Sequence, residues 1–165
     1  MDQNFTVIEY ANDLTFFKND IVFMTVGSNR VYYYSLANDN INNSPDASPD
    51  FWSASFFWLP DYSSSIDITP RKIEIKYGDG YAQRSRDGIN TSPLIFSLSF
   101  NGRTDKEAAA IAHFIEQRGG VDSFVYNHAT IFNKTGLKYI AKDCKISHQS
   151  YNLNNLSVTL ERSFN

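Results

Sequence analysis

LIFSLSFNGRTDKEAAAIAHFIEQRGG, residues 94–120, changes its period halfway along. Leu94, Phe96, Leu98 and Phe100 alternate with Ser97 and Ser99, and only Ile95 is out of step. A period of two marks a strand with one dry face. From Thr104 the spacing lengthens, and Ala108, Ile111, Ala112 and Ile115 fall on one helical face with Phe114 beside it. The Thr104 hydroxyl is placed to cap the amide three residues on while Glu107 reaches back, and Gly119 with Gly120 supplies a left-handed stop. A strand that runs straight into a one-sided helix predicts a sheet with a helix lying on it.

The same period of two recurs on both sides of this stretch. RKIEIKY, residues 71–77, places Ile73, Ile75 and Tyr77 on a dry face and Lys72, Glu74 and Lys76 on a wet one. After the helix come a short strand in SFVYN and two closing strands around residues 137–146 and 155–163, the last alternating Leu156, Val158 and Leu160 with polar residues. The expected class is α+β, mainly β, with an antiparallel or mixed sheet covered on one side by its partner sheet and the helix.

YGDGYAQRSRDGIN, residues 77–90, joins two of these strands and holds three of the chain's 8 glycines. Asp79-Gly80 is a tight-turn dipeptide, Gly78 permits positive φ beside it, and Gly88 ends a second loop, so the plain reading is a hairpin. The sharper reading holds Gln83, Arg84 and Arg86 outward on that hairpin to meet a neighbouring subunit, since arginine's planar fork of donors is favoured at interfaces.

The first 53 residues have a different texture. DIVFMTV and RVYYYSL are short apolar strands, and residues 38–50 are a loop of Asn, Asp, Ser and Pro closed by Phe51 and Trp52. A module boundary is expected near residue 53, dividing the chain into 1–53 and 54–165.

Composition narrows the functions. At 165 residues the chain can bury a real core in one domain with a small extension. Aromatic residues make up 15%, which suits sheets and interfaces. A formal charge of -3 argues against a protein that neutralises many nucleic-acid phosphates. The single Cys144 excludes an internal disulfide and fits a reducing site of synthesis. No apolar run reaches the ~20 residues of a membrane helix and no signal peptide opens the chain, so a soluble protein made in a cytoplasm is expected.

The search for chemistry is negative. His113 lies in the helix, His128 after a strand, and His148 four residues beyond Cys144, with no orienting third group for a catalytic pair. Asp39, Asp46 and Asp50 fit neither an EF-hand nor a zinc spacing. The Gly78-Asp79-Gly80 step lacks the ending and the helix of a phosphate loop. No catalytic residue, metal or cofactor is expected, and a hydrolase is a distant reading that would need His128 or His148 gathered with a carboxylate.

From Ile73 to Asn127 the chain resembles the minor tail protein M family of long-tailed bacteriophages. The match runs through Tyr77, Gly78, Asp79, Gly80, Tyr81, Gln83 and Arg84, then Gly88 and Asn90, then Phe114, Gly119, Gly120, Ser123 and Phe124, and the closing LSVTLERSFN adds to it. The resemblance covers about residues 54–165. It implies a tail-tube-like β-sandwich or open barrel with one flanking helix. It also implies a structural role in a homo-oligomeric, hexameric ring at the distal end of the tail tube, next to the tip, around the channel through which DNA passes without specific binding. The tail tube protein, the distal tail protein and the tape measure would be its neighbours, in a virion tail assembled in the host cytoplasm without membrane insertion. A closed ring of one chain needs two different complementary surfaces per copy, and the turn residues Gly78, Asp79, Gly80, Tyr81, Gln83, Arg84 and Arg86 are the expected subunit interface. A mildly acidic protein is compatible with a channel that must release DNA.

Residues 16–52 resemble the small carbohydrate-binding modules of chitinases and cellulases, through Phe16 or Phe17, Asp20, Val22, Tyr32 or Tyr34, Pro45 or Pro49, and Trp52. The usual leading Trp is absent, and Asn19 stands where Gly is commoner. The resemblance implies a small β module decorating the ring, with Tyr34 and Trp52 as glycan-stacking residues if they are not its core, and surface glycans as a further partner. The alternative function is accordingly a glycan-binding accessory module of a phage tail or of a secreted enzyme.

Overall fold

The structure, a computed structural model, describes residues 7–90, 92–127 and 136–164. Its largest sheet takes β5 (Ser65–Ile68), β8 (Leu94–Arg103), β11 (Leu153–Arg162), β10 (Lys138–Ser150) and β9 (Phe124–Val125) in the order β5-β8-β11-β10-β9, all antiparallel. The alternation in β8 has its expected consequence: Leu94, Phe96, Leu98 and Phe100 are buried, facing the same layer as Leu156, Val158 and Leu160 of β11. Leu98 stands opposite Val158 and Phe96 opposite Leu160, so branched and aromatic side chains pack across the ladder.

Helix α1 spans Asp105–Arg118. Thr104 caps it, its hydroxyl accepting from the Glu107 amide at 3.2 Å, and Gly119 ends it at φ 52, donating its amide to Glu116 O. The reciprocal half of the capping box is replaced: the Glu107 carboxylate accepts instead from Arg103, at 3.0 Å. The buried face is Ala108, Ala110, Ile111, Phe114 and Ile115, wider than the sequence stripe, and Ala112 is only half-buried.

The width has a cause. One side of α1 lies on β10 and β11. The other is covered by a second sheet, β1 (Ile8–Glu9), β2 (Ile21–Val26), β3 (Asn29–Ser35) and β4 (Trp52–Ser53), in sequence order. Its pairs are antiparallel except β1 with β2, which is parallel. The class is therefore α+β and mainly β, as expected, with the helix between two open sheets rather than beside a closed barrel.

Tyr34 and Ile21 of this second sheet join the same buried cluster as Phe114 and Trp58. Phe56 sits near its centre, with ring centroids 5.4 Å from Phe114, 5.7 Å from Phe124 and 5.6 Å from Tyr126. Burying one such side chain stabilises the fold by about 1.5–3 kcal/mol. A smaller cluster of Phe16, Val22 and Trp52 closes the far side of the second sheet, with Tyr10 packed on it.

Candidate assembly interface

Among the described residues β6 (Lys72–Lys76) and β7 (Ala82–Arg86) pair only with each other, as a two-stranded sheet apart from the other two. The sequence expected Ile73, Ile75 and Tyr77 to be dry. They are instead 49%, 51% and 47% exposed, because among the described residues no layer covers this hairpin. An isolated two-stranded hairpin is marginal in water, so its stability depends on its own turn, on its cross-strand pairs and on whatever meets its apolar face.

The turn is built from Gly78, Asp79 and Gly80. The Tyr77 amide donates to Tyr81 O at 2.8 Å, the Gly80 amide donates to Tyr77 O at 3.2 Å, and the Tyr81 amide donates to the Asp79 carboxylate at 3.2 Å. Gly80 takes φ 84, while Gly78 and Asp79 stay outside the left-handed region. Asp79-Gly80 is thus not the expected two-residue turn, and Gly78 does not use its freedom. The pattern is a three-residue loop whose last residue is left-handed. At the base, Arg71 donates to Asp87 through Nε at 3.1 Å and Nη2 at 2.9 Å.

Alternation separates the expected interface residues. Gln83 faces Ile75, and Ser85 faces Ile73, so Gln83 lies on the apolar side, where its Oε1 accepts from the Tyr77 hydroxyl at 3.2 Å. The Tyr77 and Tyr81 rings stand 5.8 Å apart on that same side. Arg84 and Arg86 lie on the opposite face, across from Glu74 and Lys72. The expected trio of Gln83, Arg84 and Arg86 is therefore split between two faces, since adjacent strand residues point opposite ways. Glu74 accepts from Lys72 at 2.9 Å and Arg84 at 3.3 Å. Those two hydrogen bonds hold the Glu74 carboxyl below its usual range. Arg86 has no carboxylate partner among the described residues. The site has two different faces: an apolar one of Ile73, Ile75, Tyr77 and Tyr81, which the sequence reading took for core, and a basic one.

A second open surface belongs to the five-stranded sheet. β9 pairs with only Lys138 and Tyr139 of β10, so from Ile140 to Ser150 the outer edge of that strand has no strand partner among the described residues. An uncovered edge of this length presents a row of backbone donors and acceptors to another chain. Sequence reasoning located the strand and missed that its edge is open, which depends on how short β9 is.

The remaining candidates are engaged elsewhere. Tyr34 is 1% exposed and Trp52 3%. Trp52 donates Nε1 to Asn43 O at 2.8 Å and stacks edge-on against Phe16, so both proposed sugar platforms are core residues in this conformation. Cys144 and His148 share a face of β10 but lie ~13 Å apart along it at strand rise, and the His148 ring is bonded to the Asn154 side chain. Burial, and then Asp143, push the Cys144 thiol up. His113 is bonded to Tyr34, and His128 lies outside the described residues. Among the described residues no helix is long and apolar enough to cross a membrane, and no group of three or more His, Cys, Asp or Glu is arranged to hold a metal ion.

Comparison with known proteins gives these surfaces a context. Over 71 residues the chain is 28% identical to the tail tip protein M of Escherichia phage lambda, covering 43% of this chain and 64% of that protein, so it spans a little under two thirds of that relative's length. The model of the phage minor tail protein family matches residues 54–164, which include the strand leading into the hairpin, the turn, α1 and both closing strands. This chain belongs to the phage minor tail protein family, and its role is that of a structural component of a phage tail.

Proposed function

We propose that the chain forms a homo-oligomeric, hexameric ring at the distal end of a phage tail tube, surrounding the DNA channel. The β6–β7 hairpin is one half of the subunit contact, and the open edge of β10 on the next copy is the other. The observation that carries this reading is the hairpin itself: a two-stranded sheet with an exposed apolar face that pairs with no other strand among the described residues. A heterologous contact that closes by rotation needs two unlike surfaces on one subunit, and this chain has a projecting hairpin and an unpaired edge. The name of the lambda relative places that protein at the tail tip, which supports the same position here, with the tube protein, the distal tail protein and the tape measure as neighbours.

The test compares wild-type protein with Ile73→Asp/Ile75→Asp and Arg84→Ala/Arg86→Ala double variants. Both variants keep the core's melting transition, because the hairpin lies outside it, while rings in negative stain and incorporation into tails are lost. Normal tails from both variants overturn the proposal.

A further inference from the structure

We propose that the cleft between β3 and the C-terminal end of α1 binds a carboxylated sugar of the uronic-acid class. The cleft, of about 350 Å³, is lined among others by Arg30, Tyr32, Gln117, Arg118, Asp122 and Ser123, and ligand clefts generally run from about 300 to 1,000 Å³. It stands apart from the hairpin and from the ring reading. Its walls come from both sides of residue 53, so the N-terminal layer completes a site that the matched region alone does not have.

Two cations line this cleft and neither is in a salt bridge among the described residues, although the Asp122 carboxylate is near enough to act on Arg118 through its charge. The Arg118 guanidinium lies 3.6 Å from the Phe114 ring centre and donates to Phe114 O at 3.4 Å and Ala54 O at 3.2 Å. It is half-buried, burial presses its pKa down, and it makes no salt bridge among the described residues. Arg30 is exposed and sits 4.5 Å over the Phe23 ring, again with no salt bridge among those residues. Stacking on a ring fixes each planar fork while leaving donors free, and such a fork matches a carboxylate in two parallel bonds.

The rest of the lining selects among anions. Asp122 adds an exposed carboxylate, which opposes a phosphate dianion or a strongly acidic peptide but accepts readily from hydroxyl groups. The Tyr32 hydroxyl, the Gln117 amide and the Ser123 hydroxyl make no side-chain hydrogen bond among the described residues. Two cations, one acceptor anion and three neutral polar groups suit a ligand with one carboxylate and several hydroxyls. Tyr32 also supplies a half-exposed ring wall of the kind that packs against a sugar face.

The full chain is titrated with sodium glucuronate, glucose, glutamate or inorganic phosphate while backbone amide resonances are followed by NMR. Glucuronate should shift the amides of residues 30–32 and 117–123 saturably, with a Kd on the order of 1 mM, while the other three do so at least ~10-fold more weakly. Arg30→Ala, at an exposed position, should keep the fold and weaken glucuronate ~10-fold, the loss of one charge-assisted contact. The absence of a saturable shift, or binding that Arg30→Ala leaves unchanged, overturns the site. An equal response to glutamate or phosphate overturns the sugar assignment.

Discussion

The Tyr34 hydroxyl lies 3.0 Å from Nδ1 of His113, joining β3 to the outer side of α1 across 79 positions of sequence. Burial raises the Tyr34 phenol well above its usual range, so the hydroxyl keeps its proton and can pair with the neutral imidazole, the direction of the bond following the ring's tautomer. Burial lowers the His113 pKa below 6.5, with Glu116 opposing the shift, and the Tyr32 ring packs edge-on at 4.9 Å. Between the lowered folded value and 6.5 the unfolded chain binds more protons than the native one, so stability falls as pH drops through that window and is complete above it. Melting curves from pH 8 to 5 should show that loss, and His113→Gln should flatten the part due to this ring. An unchanged pH slope in the variant would refute the assignment.

The same contact sets what substitutions at Tyr34 cost. Tyr34→Phe removes one hydrogen bond and keeps the ring, at about 1 kcal/mol. Phe114→Ala empties the position that Tyr34, Trp58, Phe56 and Phe124 surround, and should cost about 3–5 kcal/mol. Urea denaturation of the two variants separates these values, and a larger loss for Tyr34→Phe would mean the hydroxyl carries more than its bond to His113.

Residues 1–53 are expected to act as a cover for α1 rather than as a free module. Lys106 pairs with Asp20 at 2.6 Å, Trp58 donates to Asn19 at 3.0 Å in a buried contact, and Tyr34 is enclosed against α1. A fragment of residues 54–165 loses all three and opens the Phe114 and Trp58 side of the core. It should bind a hydrophobic dye and melt well below the full chain. A fragment with undiminished stability would show that the first sheet is dispensable.

How much of this was legible in the sequence depended on whether a residue's environment is set by its own chain neighbours. In β8, α1 and β11 the period, the Thr104 cap and the Gly119 stop are local, and all appear where they were read. β5 was missed, because Ser65-Ile66-Asp67-Ile68 is short, polar at alternate positions and borne on an edge. Ile73 and Ile75 have the right alternation for core, yet no layer among the described residues covers them, and periodicity cannot tell a face buried by its own fold from one awaiting a partner. Tyr34 and Trp52 carried the opposite ambiguity, since a ring that stacks on sugar also builds a core. Asn154 is fully buried and donates to Asp105 at 2.6 Å, a contact between residues 49 apart that nothing in either segment announces.

Gly80 gives the sharpest test of the hairpin's independence. Its φ of 84 is strained for any side chain, while an added Cβ would meet nothing within 4 Å, so the cost of Gly80→Ala is conformational alone, about 1–2 kcal/mol. Because β6 and β7 pair with no other strand among the described residues, that cost should fall on the hairpin and not on the core. Amide exchange in Lys72–Lys76 and Ala82–Arg86 should speed up roughly 5- to 30-fold, the factor that 1–2 kcal/mol represents, while Leu98, Ile111 and Val158 keep their protection. Assembly should weaken in step with the hairpin. A uniform rise in exchange across both regions would show that the hairpin and the core unfold as one unit, and the separation argued for the interface would fail.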